Sequence, residues 1–389
     1  MTALAESQTL AMAERVRRLK AAGKRVYSFT LGEPDFATPE IVRRAAVEAM
    51  EKGYTHYPPV AGLPELRHAL SEHFRAVYGL VYSPDEIVVS TGAKQSLFNI
   101  FMALVNPGDE VVIPAPYWVS YLPMVQMAGG TPVWIRAGTE KKYKITPDDL
   151  AAAITPKTKI FLFNSPSNPT GMVYTSDEVR ALAEVLERHE HVFVVSDEIY
   201  ALVRFEPEYL SIGTIGALRE RTMTVNGASK AFAMTGWRIG WMGAPRWICD
   251  LCVRCQGQVT SGANSVGQMA VVAALEHPDC VEPMRTAFQR RRDRAMEILR
   301  VPFLSVPCPQ GAFYLYPDVS ALLGKKSRDG RTIETCDDLT EYLIDRAGVA
   351  VVSGTGFGTR EHIRLSYAAD DTTIENGLTL MLEALAELK

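Results

Sequence analysis

The chain is 389 residues long, 47% hydrophobic and 22% charged, which supplies apolar surface for one large core and a smaller satellite. Its net charge of -4 gives no electrostatic reason to expect nucleic acid or an anionic membrane as a partner. No apolar run approaches the ~20 residues that a membrane span needs, and the opening Met1-Thr2-Ala3-Leu4-Ala5-Glu6 lacks the layout of a signal peptide, so the expected location is the cytoplasm.

In chain order, residues 3–22 read as an amphipathic helix that stops before Gly23. From about residue 85, short apolar strands alternate with helical stretches. The strands are expected at 87–90, 110–113, 132–135, 159–163, 192–196 and 222–225, with helices at 94–105, 117–128, 147–153 and 176–189 between them. Such alternation predicts an α/β fold whose mostly parallel sheet is covered by helices on both faces. Cys249, Cys252 and Cys255 share a spacing with iron–sulfur sites. Their segment, Trp247-Ile248-Cys249-Asp250-Leu251-Cys252-Val253-Arg254, lacks Gly and Pro and reads as helix, where a drifting stripe of thiols does not wrap a cluster; buried small hydrophobes are the expectation. Beyond residue 280 the pattern changes to a charged helix at 283–299, short strands near 302–306, 312–316, 349–352 and 362–367, and a closing helix at 371–387. The expected division is an N-terminal helix and arm (1–35) that joins the small domain, a large domain (36–280) and a small α+β domain (281–389).

In a sheet of this kind ligands bind beyond the carboxyl ends of the strands. Polar and glycine-rich segments follow several of the expected strands there: Thr91-Gly92-Ala93-Lys94, Asn164 to Gly171, Asp197 to Tyr200, and Asn226 to Lys230. The last continues as Ala231-Phe232-Ala233-Met234-Thr235-Gly236-Trp237-Arg238-Ile239-Gly240. A lysine among small and apolar residues has its ammonium destabilised, which favours the neutral amine that bonds to carbonyls. Arg238, eight residues on, offers a fork of donors suited to phosphate.

This stretch resembles the cofactor-lysine signature of class I aminotransferases, the fold-type I enzymes that use pyridoxal phosphate. The likeness extends over Gly32-Glu33-Pro34-Asp35-Phe36, Tyr57-Pro58-Pro59-Val60-Ala61-Gly62, Ser165-Pro166-Ser167-Asn168-Pro169-Thr170-Gly171, Ser196-Asp197-Glu198-Ile199-Tyr200 and Arg364-Leu365-Ser366-Tyr367-Ala368. It implies a large sheet domain with a smaller α+β domain, pyridoxal phosphate held covalently by Lys230, and Lys230 as the base that takes the substrate's Cα proton. It further implies Asp197 against the cofactor's ring nitrogen, Tyr200 and Asn168 at its ring oxygen, and Trp118 stacked on the ring. Gly92, Ala93, Lys94, Ser229 and Arg238 would lie about its phosphate, with Tyr57 reaching the phosphate of a neighbouring subunit in a homodimer. Cis peptide bonds at Ala115-Pro116 and Asn168-Pro169 are part of the same expectation.

For the substrate, the resemblance assigns the α-carboxylate to Arg364, with Asn168, Trp118 and Gly32 alongside. The chain most resembles the bacterial Iγ-like aspartate aminotransferases, in which Lys94 and the segment Ser7-Gln8-Thr9 would bind a second carboxylate. Aspartate and glutamate with their 2-oxo acids then fit, and so does prephenate, because enzymes acting on it share this arrangement. Lyases on the same fold share much of the cofactor set, but Lys94 with Ser7 and Thr9 argues against them. A DNA-binding regulator would carry a further module ahead of Gly32, and a nicotinamide dehydrogenase would need an early Gly-x-Gly-x-x-Gly turn, which is absent.

Overall fold

A computed structural model describes residues 8–206 and 208–389. Seven strands form the main sheet, in the order Ile87–Ser90, Gly240–Gly243, Thr222–Gly227, Phe193–Asp197, Thr158–Asn164, Glu110–Ala115 and Thr131–Arg136. All neighbours run parallel except Gly240–Gly243, which is antiparallel to both of its neighbours. Every residue of Ile87–Ser90, Thr222–Gly227 and Gly240–Gly243 is buried, as expected of strands covered by helices on both faces, even though Ile87–Ser90 lies at the sheet's edge. That burial explains their continuous apolar character, because neither face of such a strand meets water.

The antiparallel strand matters for the site. Its first residue, Gly240, pairs with Ser90 and Gly227, the last residues of its neighbours. The segment entering it therefore arrives at the carboxyl edge of the other strands and carries Arg238 there. Helices Ala93–Leu104 and Arg246–Val259 pack together over this part of the sheet, and Leu97, Ile100, Phe101, Cys249 and Cys252 share one apolar cluster. Cys249 and Cys252 are core side chains, and burial pushes the Cys249 thiol up to about 12.

The C-terminal part packs helices Glu282–Ile298, Asp371–Ala386 and Cys336–Ala347 beside a small antiparallel sheet, ordered Val352–Ser353, Ile363–Ser366, Tyr314–Leu315. The N-terminal segment is fastened to it at three places. Tyr27–Ser28 pairs in parallel with Val349–Ala350, Gln8 accepts the N–H of Gly356 at 2.8 Å, and Arg15 of helix Gln8–Ala21 forms ion pairs with Glu341 and Asp345.

Some elements differ from expectation. Residues 302–306 hold a single bridge, Ser305 to Asp318, in place of a strand, because Pro302 and Pro307 remove ladder donors at both flanks. The strand expected at 349–352 divides at Val351, one half serving each small sheet. The helix expected at 117–128 forms only over Tyr121–Met127, leaving Trp118 in the loop after the cis bond Ala115–Pro116. Asn168–Pro169 is also cis, as is Ser165–Pro166, which was not anticipated. Among the described residues no helix is long and apolar enough to cross a membrane.

Candidate active site

The loops that leave the carboxyl edge enclose a cavity of about 290 Å³. Gly32, Ala93, Lys94, Trp118, Asn168, Asp197, Tyr200, Ser229, Lys230, Arg238, Arg364 and Thr9 all line it, although they span nearly the whole sequence. Gly92 sits just behind, as the N-cap of helix Ala93–Leu104. Two further expected residues are not among them. Tyr57 is 93% exposed, outside the cavity of its own chain. Ser7 lies outside the described residues.

Asp197 ends its strand on the floor of the cavity. Its carboxylate accepts the Tyr121 hydroxyl at 2.7 Å and the Ile199 N–H at 3.2 Å, while the Asn164 amide donates to its carbonyl at 2.8 Å. Burial raises this carboxyl to about 6; the Tyr121 and Ile199 hydrogen bonds and the charge of Lys230 act the other way. Lys230 lies on the short helix Ala228–Ala231 that follows the neighbouring strand, with its open side toward the cavity. It donates to the Gly32 carbonyl, and desolvation draws its ammonium down to about 8, with Glu33 opposing and Arg364 and Arg238 assisting. A lysine with that value keeps an appreciable neutral fraction near pH 7, as a nucleophilic amine requires.

Arg364 is 2% exposed and has no carboxylate partner among the described residues. One nitrogen donates to the Asn168 side-chain oxygen at 3.0 Å, another to the Thr30 carbonyl at 2.8 Å, and Nε has no partner among the described residues. Lys94 stands 5.0 Å from the Trp118 ring centroid, its ammonium lowered by burial and by Arg238. Thr9 presents a buried hydroxyl without a partner among the described residues. Among the described residues, four cationic side chains thus face one carboxylate across the cavity. That excess suits a ligand carrying several negative charges.

The phosphate cradle is built by absence of side chains. Gly92 has φ +81°, and a Cβ there would fall 2.5 Å from Arg238 Nη2; a Cβ on Gly240 would collide with the backbone of Gly92 and Ala93. Free N–H groups at the start of helix Ala93–Leu104, with Ser229 and Arg238 alongside, make an anion seat. Gly240→Ala is expected to cost about 1–3 kcal/mol by forcing this turn apart; equilibrium denaturation would show it, and an unchanged midpoint would contradict the close packing.

A ring with an attached phosphate, an aldehyde and a basic nitrogen fits these residues. The phosphate meets the glycine turn and Arg238, the aldehyde carbon meets the Lys230 amine, and the nitrogen meets Asp197, a buried carboxylate with no ion-pair partner of its own among the described residues. Tyr121, Asn164 and Tyr314 belong to the same arrangement and were not foreseen. Asn164 left a trace in the sequence, a polar residue closing an apolar strand directly beside Asp197. Tyr121 and Tyr314 read as ordinary core tyrosines.

The chain matches the family model "Aminotransferase class I and II" over residues 24–380. It is 46% identical to an aspartate/prephenate aminotransferase of Cereibacter sphaeroides, over 95% of this chain and 93% of that protein. A probable aspartate/prephenate aminotransferase of Rhizobium leguminosarum is 45% identical over the same shares. Among solved structures, the aspartate aminotransferase of Rhizobium meliloti superposes with a TM-score of 0.96 at 41% identity, covering 100% of this chain and 98% of that one. The Thermus thermophilus aspartate aminotransferase with maleate gives 0.92 at 40% identity, covering 98% of each. With the family model spanning most of the chain and relatives at 40–46% identity over nearly its full length, the chain belongs to the class I and II aminotransferases, fold-type I enzymes that work with pyridoxal phosphate.

Proposed function

We propose that this aminotransferase moves the amino group between aspartate or glutamate and the corresponding 2-oxo acids, oxaloacetate and 2-oxoglutarate. One observation carries the reading: after the cofactor's phosphate is provided for at Arg238, two desolvated cations, Arg364 and Lys94, still face the cavity without a carboxylate among the described residues. A substrate with two carboxylates satisfies both. The maleate of the Thermus thermophilus structure is such a compound, and the names of the relatives point the same way.

The geometry supports the following roles. Arg364, oriented by Asn168 and Thr30, takes the α-carboxylate, and Lys94 with Thr9 takes the distal one. Held at both ends, the substrate presents its Cα hydrogen to the Lys230 amine, which carries that proton as general base. Pyridoxal phosphate, when bound, supplies an aldehyde for the amino group and a ring that accepts the electron pair left at Cα. Asp197 favours a proton on the ring nitrogen, and Tyr121 keeps its carboxylate aimed. Gly32 offers its backbone beside the reacting amine, and Trp118 walls one side.

We further propose a cytoplasmic homodimer divided at 1–35, 36–280 and 281–389, with Tyr57 serving the neighbouring subunit's phosphate. The exposure of Tyr57 and of Val259 supports the shared interface, and six unpaired cysteines support a reducing compartment.

A panel of amino donors with 2-oxoglutarate or oxaloacetate, and prephenate among the acceptors, tests the substrate. Aspartate is expected to exceed alanine in kcat/KM by on the order of 100-fold or more, the value of one desolvated charge pair, and Lys94→Met is expected to remove most of that ratio. Equal rates for aspartate and alanine in the parent enzyme would end the dicarboxylate reading.

A further inference from the structure

Tyr200 and Tyr314 meet at the centre of the cavity with their hydroxyl oxygens 2.7 Å apart, both side chains buried. Each is the other's hydrogen-bond partner among the described residues, so two hydroxyl protons serve one hydrogen bond and one proton is left over. Which hydroxyl donates decides where that spare proton points. The surroundings are unequal. The Arg364 guanidinium lies over the Tyr314 ring, 4.6 Å from its centroid, and a cation on that face makes the phenol a stronger donor. The Tyr314 hydroxyl also lies close against Gly32, where an added Cβ would fall 2.5 Å from it. With Tyr314 as the donor, the Tyr200 proton would be free to face the cavity.

We propose that Tyr314 is a positioning residue: it fixes the Tyr200 hydroxyl as a donor to the bound cofactor and strengthens that donation through a two-hydroxyl chain. This rests on the proposed placement of Tyr200 at the cofactor's ring oxygen. Donation to that oxygen stabilises its anionic form and so makes the cofactor–lysine linkage more acidic; a chain of donors strengthens the effect. Tyr314 acts only through Tyr200 and touches no reacting atom in this scheme.

The test is the pH titration of the visible absorbance of the lysine-bound cofactor, read without substrate. Tyr314→Phe is expected to raise the apparent pKa of that band by about half a unit, and Tyr200→Phe to raise it further. In the Tyr200→Phe background, adding Tyr314→Phe is expected to change nothing, because the relay is already cut. An unchanged titration in Tyr314→Phe, even with a lowered melting temperature, would overturn the proposal and leave Tyr314 as packing. Additive shifts in the double variant would overturn it as well. If the parent shows a pH-dependent band that Tyr200→Phe leaves unmoved, the placement of Tyr200 fails and the relay fails with it.

Discussion

Lys230→Ala is expected to lower transamination by at least about 10⁴-fold while the fold survives. The cavity holds one other lysine, Lys94, and that ammonium stands over Trp118, at the end of the cavity assigned to the distal carboxylate. Among the described residues no second amine of the cavity lies beside Asp197 and Gly32 to carry the Cα proton. Stability should not suffer, because the wild-type amine is itself a strained occupant: desolvation depresses it to about 8, so keeping it charged in place opposes folding below that pH. Steady-state assay of 2-oxo acid formation, with circular dichroism as the control for folding, decides the matter. Near-normal turnover in this variant would remove Lys230 from the mechanism.

The second large effect concerns Asp197, where activity and stability are expected to move in opposite directions. Asp197→Asn keeps the shape and the acceptor for Tyr121 but removes the charge that favours a protonated ring nitrogen, and kcat is expected to fall ~10²–10⁴-fold. The cofactor-free chain, by contrast, should become more stable. The folded carboxyl is raised to about 6, so the penalty for ionising it is fully present above that pH and disappears as pH falls below the unfolded value. At pH 7 the substitution is expected to relieve on the order of 2–3 kcal/mol, and at pH 4 almost nothing. Denaturant unfolding of both cofactor-free proteins at the two pH values measures this. A variant destabilised at pH 7 would contradict the burial argument.

Much of this architecture was legible because strands and helices here differ sharply in length and apolar pattern. The six strands from 87 to 225 appear within a residue or two of their expected starts, since buried parallel strands need continuous apolar runs. Gly240–Gly243 escaped notice because glycines at both ends give it little strand character; its role is to let two backbones approach. Ser265–Glu276 escaped for a related reason: it is apolar on nearly all sides and shows no amphipathic stripe. The capping box of Thr335 with Asp338 was readable before helix Cys336–Ala347 and was passed over. In the site, Lys230, Arg238 and Arg364 were legible through motif likeness. Tyr121 and Tyr314 were not, because a tyrosine in the core and a tyrosine aimed at a functional carboxylate or hydroxyl have the same sequence surroundings.

The fastening of the N-terminal helix to the C-terminal layer carries a consequence for substrate length. Thr9 rides on that helix and Arg364 on the layer, and Arg15, Gln8 and the Tyr27–Ser28 pairing lock the two together. These contacts make the N-terminal helix and the layer one unit, so Thr9 and Arg364 line the cavity from a shared support. In the proposed substrate reading, Thr9 and Arg364 would keep one spacing, while the distance from Arg364 to Lys94, on helix Ala93–Leu104 beside the main sheet, would follow how the layer sits against that sheet.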